Sequence, residues 1–297
     1  MFTVLTPTYN RAALLPRLYE SLCRQSFTDF EWLIIDDGSS DDTQELINRW
    51  INEATFKIRY LHQANSGKQS AFNRGVVNAL GTLIAQIDSD DELVPDALQK
   101  LAESWETISR QDRHRFVGVT GLCRDDNGQI VGDRYPTSPF VSNNLECRYR
   151  HRIRGEKWGF QRRDVLMNFP FPESPETSHV PESIIWGQIA RQYMTLYINE
   201  PLRIYHSSQG ANQLTKRSAA ESSKAMLLQH THALNAELDF FRSSPLSFIR
   251  SAVHYTRSSL HQKHSLAAQF RGLQSFARLL WALSLPVGWY VYRRDRR

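Results

Sequence analysis

An apolar run, TLIAQI (82–87), opens onto Asp88, Ser89, Asp90 and Asp91. Alternate residues of an extended chain share a face, so Asp88 and Asp90 point the same way. Two close carboxylates repel unless a cation lies between them. Hard oxygen donors suit Mg²⁺ or Mn²⁺, commonly shared with phosphate oxygens. The plainer reading is a solvated loop leading to a helix that starts near Pro95. Three more polar clusters follow apolar runs: Pro7-Thr8-Tyr9-Asn10-Arg11 after TVLT, Asp36-Asp37-Gly38-Ser39 after EWLIID, and Asn65-Ser66-Gly67-Lys68 after KIRYLH. Solvated loops account for any one cluster but poorly for four, since ligands of open α/β sheets bind beyond the carboxyl ends of the strands.

The elements that must position these clusters alternate. Thr3–Thr6, Glu31–Asp36, Lys57–His62 and Thr82–Ile87 read as strands. Leu14, Leu15, Leu18 and Leu22 mark a helix face ending near Gln25, and Leu46, Ile47, Trp50 and Ile51 mark another. Gly67–Leu80 and Pro95–Ile108 are the third and fourth helices. Strands alternating with helices predict a doubly wound, mostly parallel α/β sheet. From Phe116 the pattern changes: FVGVTGLC with a DDNG turn suggests a hairpin or an antiparallel edge. Residues 134–160 carry no clear period. Helical signals return at Arg163–Met167 and Pro181–Tyr193, short strands are expected at Thr195–Ile198 and Leu202–Tyr205, and the chain beyond Ser218 reads as helix broken near Pro245 and Pro286.

Other chemistries fit poorly. GKQS (67–70) lacks the upstream glycine and the Ser/Thr of a P-loop, no GxGxxG follows the first strand, and GxSxG and HExxH are absent. His261 and His264 without a nearby carboxylate make a poor metal site. Of 297 residues 41% are hydrophobic and 23% charged, ordinary globular values that argue against disorder. Cys23, Cys123 and Cys147 show no metal-finger spacing and read as reduced thiols. No leader-like N-terminus and no long apolar run is seen; LLWALSLPVGWYVY (279–292) is short and interrupted by Pro286 and Gly288. The net charge of +5 conceals a split: residues 1–210 hold 23 basic and 27 acidic side chains, and residues 211–297 hold 13 and 4.

PTYNR, IIDDGSSDDT and NSGKQSAFNRGVVNALGTLIAQIDSDDELVP, in this order and spacing, resemble the inverting family-two glycosyltransferases of GT-A fold, of the bacterial surface-polysaccharide type. The resemblance is closer over about residues 2–110 than over 111–210 and does not reach the basic tail. It implies a Rossmann-like GT-A domain over 1–212, with a nucleotide-sugar half (1–110) and an acceptor half (111–212), followed by a helical extension over 213–297. It also implies transfer of a hexosyl or N-acetylhexosaminyl group from a nucleotide-sugar, most naturally a UDP-sugar, to an acceptor hydroxyl with inversion. By carry-over, Pro7, Tyr9 and Arg11 line the nucleotide pocket and Asp37 hydrogen-bonds the base. Lys68 and Arg74 lie near the pyrophosphate or sugar. Asp88 and Asp90 stand at the metal-and-ribose DxD position, with Asp90 the principal ligand of Mg²⁺ or Mn²⁺ and His206 a third ligand or a phosphate donor. Glu182 occupies the position of the general base, although Ser183 replaces the acid that usually follows; a helix-capping Glu is the plainer alternative. Trp158 is a candidate to stack on an acceptor sugar or is simply packed.

In the tail, Arg250, Arg257, Arg271 and Arg278 recur at sevens, with His264 in the gap, and Ile249, Val253, Leu260, Phe270, Leu273 and Leu280 form an apolar set. Together with the aromatic, arginine-rich end, this predicts a basic amphipathic segment on an anionic membrane surface rather than on nucleic acid, with packing of its apolar face on the catalytic domain as the plainer alternative. The implied setting is the cytoplasmic, inner face of a cell membrane, with a lipid-linked or glycan acceptor. The alternating Arg148, Arg150, Arg152 and Arg154 suggest a solvated edge strand or a contact for an acceptor pyrophosphate. The rival functions are a non-catalytic GT-A-like binding scaffold and a sugar-phosphate nucleotidyltransferase; the latter expects a Gly-rich loop where PTYNR stands.

Overall fold

Four short apolar strands, each leading to a helix with one apolar face, build the N-terminal half. β1 (Phe2–Thr8) leads to α1 (Leu15–Cys23), β2 (Phe30–Asp36) to α2 (Thr43–Glu53) and β3 (Lys57–His62) to α3 (Lys68–Asn78). β4 (Leu83–Gln86) continues through the two-residue strand β5 (Glu92–Leu93) to α4 (Ala97–Glu106). Helical crossovers make neighbouring strands parallel, and β1 pairs parallel with both β2 and β4, as β2 does with β3. Every residue of β1 and β2 is buried, as expected of a sheet covered on both faces. The computed structural model describes residues 1–172, 180–206 and 218–296.

The second half of the sheet is mixed. It holds β6 (Phe116–Arg124), β7 (Phe140–Ser142), α5 (Asn144–Tyr149), β8 (Lys157–Arg162), α6 (Arg163–Asn168), α7 (Glu182–Ala190) and β9 (Met194–Ile204). The strand order is β3-β2-β1-β4-β8-β6-β9-β5, with β7 paired to β9. FVGVTGLC is therefore an interior strand, antiparallel to β8 and parallel to β9, and not an edge. The two strands expected at 195–198 and 202–205 are one, because a register shift against β6 absorbs Ile198-Asn199-Glu200 and pairing resumes at Pro201. Trp158, buried to 4% exposure in β8, donates its indole N–H to the Gln86 carbonyl at 2.6 Å and packs in the core. It has no face for an acceptor sugar.

The chain divides into two compact units. The first comprises Met1–Cys147, Ile153–Glu173 and Gly187–Gln209; the second comprises Arg148–Arg152, Ser174–Trp186 and Gly210–Arg297. The boundary expected at 212 lies outside the described residues.

Helices dominate the second unit. α8 (Ala219–Ala236) starts with a capping box, in which Ser218 accepts from the Glu221 N–H and Glu221 accepts from that of Ser218. α9 (Pro245–His261), α10 (Leu266–Arg271) and α11 (Ser275–Asp295) follow. The arginines at sevens do not form one row, because breaks at 262–265 and 272–274 put them on three helices. Arg257 is spent inside the unit, where Nε and Nη2 grip Asp295 at 2.5 and 2.6 Å while His261 Nε2 lies 2.9 Å from the same carboxylate. Pro286 does not break α11. Gly288 marks the close approach of α9: a Cβ there would lie 2.6 Å from Thr256 Cβ. Arg148, Arg150 and Arg152 are not an edge strand either. Arg148 lies in the last turn of α5 over the Tyr149 ring, Arg150 lies over Phe240, and Arg152 takes a left-handed φ of 56°.

Candidate functional site

Parallel pairing of β3, β2, β1 and β4 brings their carboxyl ends, and the polar clusters that follow, to one side of the first unit. Pro7 sits opposite Ile35, and Thr8 closes β1 opposite Asp36, which in turn faces His62. Tyr9 then emerges to 49% exposure. Asn10 turns the chain at a left-handed φ of 51°, a conformation Asn tolerates. Its side-chain oxygen accepts from the Ser40 N–H at 2.8 Å, and its own N–H donates to Ser39 Oγ at 2.8 Å. The carbonyl of Arg11 accepts from the N–H groups of Leu14 and Leu15 at the start of α1.

Asp37 is the hub of this end. Nearly closed to solvent, it accepts at Oδ1 from Gln63 Nε2 (2.7 Å) and the Ser66 N–H (2.8 Å), and at Oδ2 from the Gly67 N–H (2.7 Å). Gly38 takes a φ of 86°, and a Cβ there would sit 2.9 Å from the Asn65 nitrogen. Only glycine permits both the turn and the approach. The loops after β2 and β3 are thereby one piece, and Gly67, at φ 93°, delivers Lys68 to the first turn of α3.

Lys68 Nζ lies 2.7 Å from Asp88 Oδ1. Ligand oxygens of Asp88, Asp90 and Asp91 lie within 4.8 Å of one another, the one such acidic group among the described residues. Burial pushes the Asp88 carboxyl up, but Lys68, with Arg203 and Arg11 behind it, prevails and holds it below its ordinary range. Asp91 behaves oppositely. Burial raises it against the pull of Arg203, and the neighbouring Asp88 and Asp90 add to the rise, leaving it at about 7. Asp91 is 5% exposed and takes Arg203 Nη1 at 3.0 Å, while Arg203 Nη2 reaches Glu156 at 2.9 Å. With Asp91 held inward by a guanidinium, Asp88 and Asp90 are the carboxylates left to face a ligand. Their hard oxygens fit a divalent cation.

The remaining sequence-predicted residues are distributed as follows. Arg74, later on α3, turns to the carbonyl of His62 at 2.8 Å rather than to the acidic group. His206 follows β9, with Nδ1 paired to Asp126 and Nε2 3.8 Å from Glu92 Oε1. That Nε2 is buried and has no hydrogen-bond partner among the described residues. Glu182 is the first residue of α7 and belongs to the second unit. Sequence reasoning passed over Arg203. Its one signal was its place in RIYH, three residues before the histidine already singled out.

Residues 3–168, more than half of the chain, match the family model "Glycosyl transferase family 2". An uncharacterized glycosyltransferase of Nostoc sp. is 26% identical over 99% of this chain and 91% of its own length. The GalNAc(5)-diNAcBac-PP-undecaprenol beta-1,3-glucosyltransferase of Campylobacter jejuni is 22% identical over 91% of this chain and 87% of its own. Among solved structures, S. aureus TarS 1-349 in complex with UDP-GlcNAc superposes with a TM-score of 0.63 at 20% identity, covering 99% of this chain and 91% of that one. Against a longer TarS chain the coverage is 54%. The likeness to TarS is one of fold, and it matches the α/β sheet with a helical C-terminal part described above.

Proposed function

The chain belongs to glycosyl transferase family 2, and from that premise we propose that it moves a sugar from a UDP-sugar to an acceptor hydroxyl with inversion, in the synthesis of a bacterial surface glycan. The observation that carries this reading is the convergence of Asp37, Lys68 and the Asp88–Asp90 pair at the carboxyl ends of four parallel strands.

Each residue has a role that its chemistry supports. A carboxylate oxygen accepts two hydrogen bonds, and among the described residues Asp37 Oδ2 takes the Gly67 N–H alone. It retains capacity for the N–H of a uracil, with Pro7, Tyr9 and Arg11 around the nucleoside. Lys68 offsets the charge of the diphosphate, and Arg74 would join it by leaving its contact with the His62 carbonyl. Asp90, with Asp88, would hold Mg²⁺ or Mn²⁺, and His206 would add its Nε2. A divalent ion there supplies electrostatic stabilisation of the departing nucleoside diphosphate. Lys68, 2.7 Å from Asp88 beside that site, would add its positive charge to the phosphate oxygens. Glu182 is proposed as the base that takes the acceptor proton as the hydroxyl attacks the anomeric carbon.

The name of the Campylobacter relative points to a lipid-linked acceptor. We extend that to this chain, together with peripheral attachment to the inner face of the membrane through the second unit. No helix among the described residues is long and apolar enough to cross a membrane.

The test is nucleotide release from a panel of UDP- and GDP-sugars, with and without Mn²⁺ or Mg²⁺. Metal-dependent UDP release from one donor supports the reading. Tight UDP binding with no hydrolysis or transfer under any condition supports the scaffold instead.

A further inference from the structure

Two of the six apolar residues that the tail's sequence pattern brings forward are consumed by the fold. Leu273 and Leu280 are buried, at 1% and 6% exposure. The inward face of α11 is Ala277, Leu280, Trp281, Ser284 and Gly288. A different set is left outside. Phe276, Leu279, Leu283, Val287 and Tyr290 are 43%, 55%, 71%, 52% and 60% exposed. Their spacings of three and four keep them within an arc of roughly 80° on a helix of 3.6 residues per turn. The stripe runs along roughly 20 Å of the helix axis at about 1.5 Å per residue. No charged side chain stands on it before Arg293.

Cations frame this stripe. Arg278 lies over the ring of Phe270, itself 45% exposed on α10. At the far end Arg293 sits 4.0 Å from the centre of the Trp289 ring, Arg296 lies over Tyr292, and Arg294 is exposed. The only acid on α11, Asp295, is already paired with Arg257 and contacted by the His261 ring. A monomeric protein rarely leaves a continuous apolar stripe in water without a use for it. A stripe with aromatic rings and arginines at its end matches the interface of an anionic bilayer, where rings sit at headgroup level and guanidinium groups meet phosphates. A nucleic-acid backbone would match the arginines but not the five apolar side chains.

We propose that the outward face of α11 is the membrane-docking surface of this protein: the helix lies flat on an anionic phospholipid bilayer, with Phe276, Leu279, Leu283, Val287 and Tyr290 inserted and Arg293, Arg294 and Arg296 on the headgroups. The inference rests on the membrane attachment proposed above and gives it a surface. It also identifies the LLWALSLPVGWYVY stretch as an in-plane helix. Its apolar character is split between a face packed against α9 and a face turned outward.

The full-length protein is co-sedimented with phosphatidylcholine vesicles, with and without phosphatidylglycerol. The wild type is expected to bind only the anionic vesicles, and less as salt rises. Leu283→Glu, at an open position, should fold normally, keep its UDP-sugar turnover with a water-soluble acceptor, and bind vesicles roughly tenfold or more weakly. Arg293→Glu with Arg294→Glu should lose the preference for anionic lipid. If the wild type ignores anionic vesicles, the membrane reading falls altogether. If it binds but Leu283→Glu binds equally well, only the assignment to this face falls. If sedimentation shows a dimer that Leu283→Glu dissociates while vesicle binding is unchanged, the stripe is an interface between two copies and the proposal is overturned.

Discussion

Arg203 and Asp91 form an ion pair at 3.0 Å with both side chains nearly closed to solvent, at 9% and 5% exposure. The pair ties β9, late in the chain, to the acidic loop after β4. The loop can therefore shift little without either breaking that pair or dragging the β5–β9 ladder, in which Glu92 pairs with Ile204 and Leu93 with Arg203. The geometry of Asp88 and Asp90 is thus held from outside their own loop.

Removing one partner of such a pair leaves an uncompensated buried charge or forces a proton onto it. Arg203→Gln is expected to lower the stability of the first unit by about 3 kcal/mol. Arg203→Lys should recover part of the loss, since one ammonium reaches Asp91 but not Glu156 as well. Chemical denaturation of the three proteins checks this, and equal midpoints for Gln and wild type would contradict it.

At the proposed metal site, Asp90→Asn keeps the side chain's shape and removes its charge. Turnover in the presence of Mn²⁺ is expected to fall on the order of 10²–10³-fold, the scale of losing a group that stabilises developing charge. Mn²⁺ affinity, read by calorimetry on the free protein, should fall in parallel. Asp88→Asn should also weaken metal binding, and it additionally removes the charge that now holds Lys68. Unchanged Mn²⁺ affinity in both variants would remove the pair from cation binding.

Glu182→Gln separates a general base from a residue that only begins a helix. A base deletion should reduce the rate constant by roughly 10²–10⁴-fold while leaving UDP affinity as it was. A stabilising role at the N-terminus of α7 predicts instead a loss of about 0.5 kcal/mol in stability with turnover retained. Single-turnover rates alongside thermal denaturation distinguish the two.

The parts of this fold that were legible in the sequence are those built by short-range pattern. Lys57–His62 reads as a strand and is one residue for residue, and Asp37, Lys68 and Asp88 stand out because each follows such a strand. Illegible parts depend on distant partners. KWGFQR carries no clean alternation because β8 lies inside the sheet between β4 and β6, where the consecutive residues Trp158, Gly159 and Phe160 are all buried. The arginine row at sevens was a true feature of the sequence, yet the turn at 262–265 dissolves it, and Arg257 is paired with Asp295, 38 positions away. Pro286 reads as a break, but the helix runs through it.

The second unit should lose stability in mild acid. His230 on α8 is 8% exposed and stacks on His254 of α9 with ring centres 5.3 Å apart, and neither of its ring nitrogens has a hydrogen-bond partner among the described residues. Burial, then the neighbouring His254 and Arg148, depress its pKa from 6.5 to about 4. The folded ring therefore stays neutral where the unfolded one takes a proton. Because the folded value is the lower one, the unfolded state binds more protons between about pH 6.5 and 4, and stability rises with pH across that window. The contribution is complete above the unfolded value and declines as pH falls, by up to roughly 3 kcal/mol near pH 4 at about 1.4 kcal/mol per unit. His230→Leu removes the titrating ring while filling its space with apolar atoms. Urea denaturation followed by a probe in the second unit should show the wild type losing more stability than this variant between pH 7.5 and 5. Parallel losses in the two proteins would mean that His230 is not the group responsible.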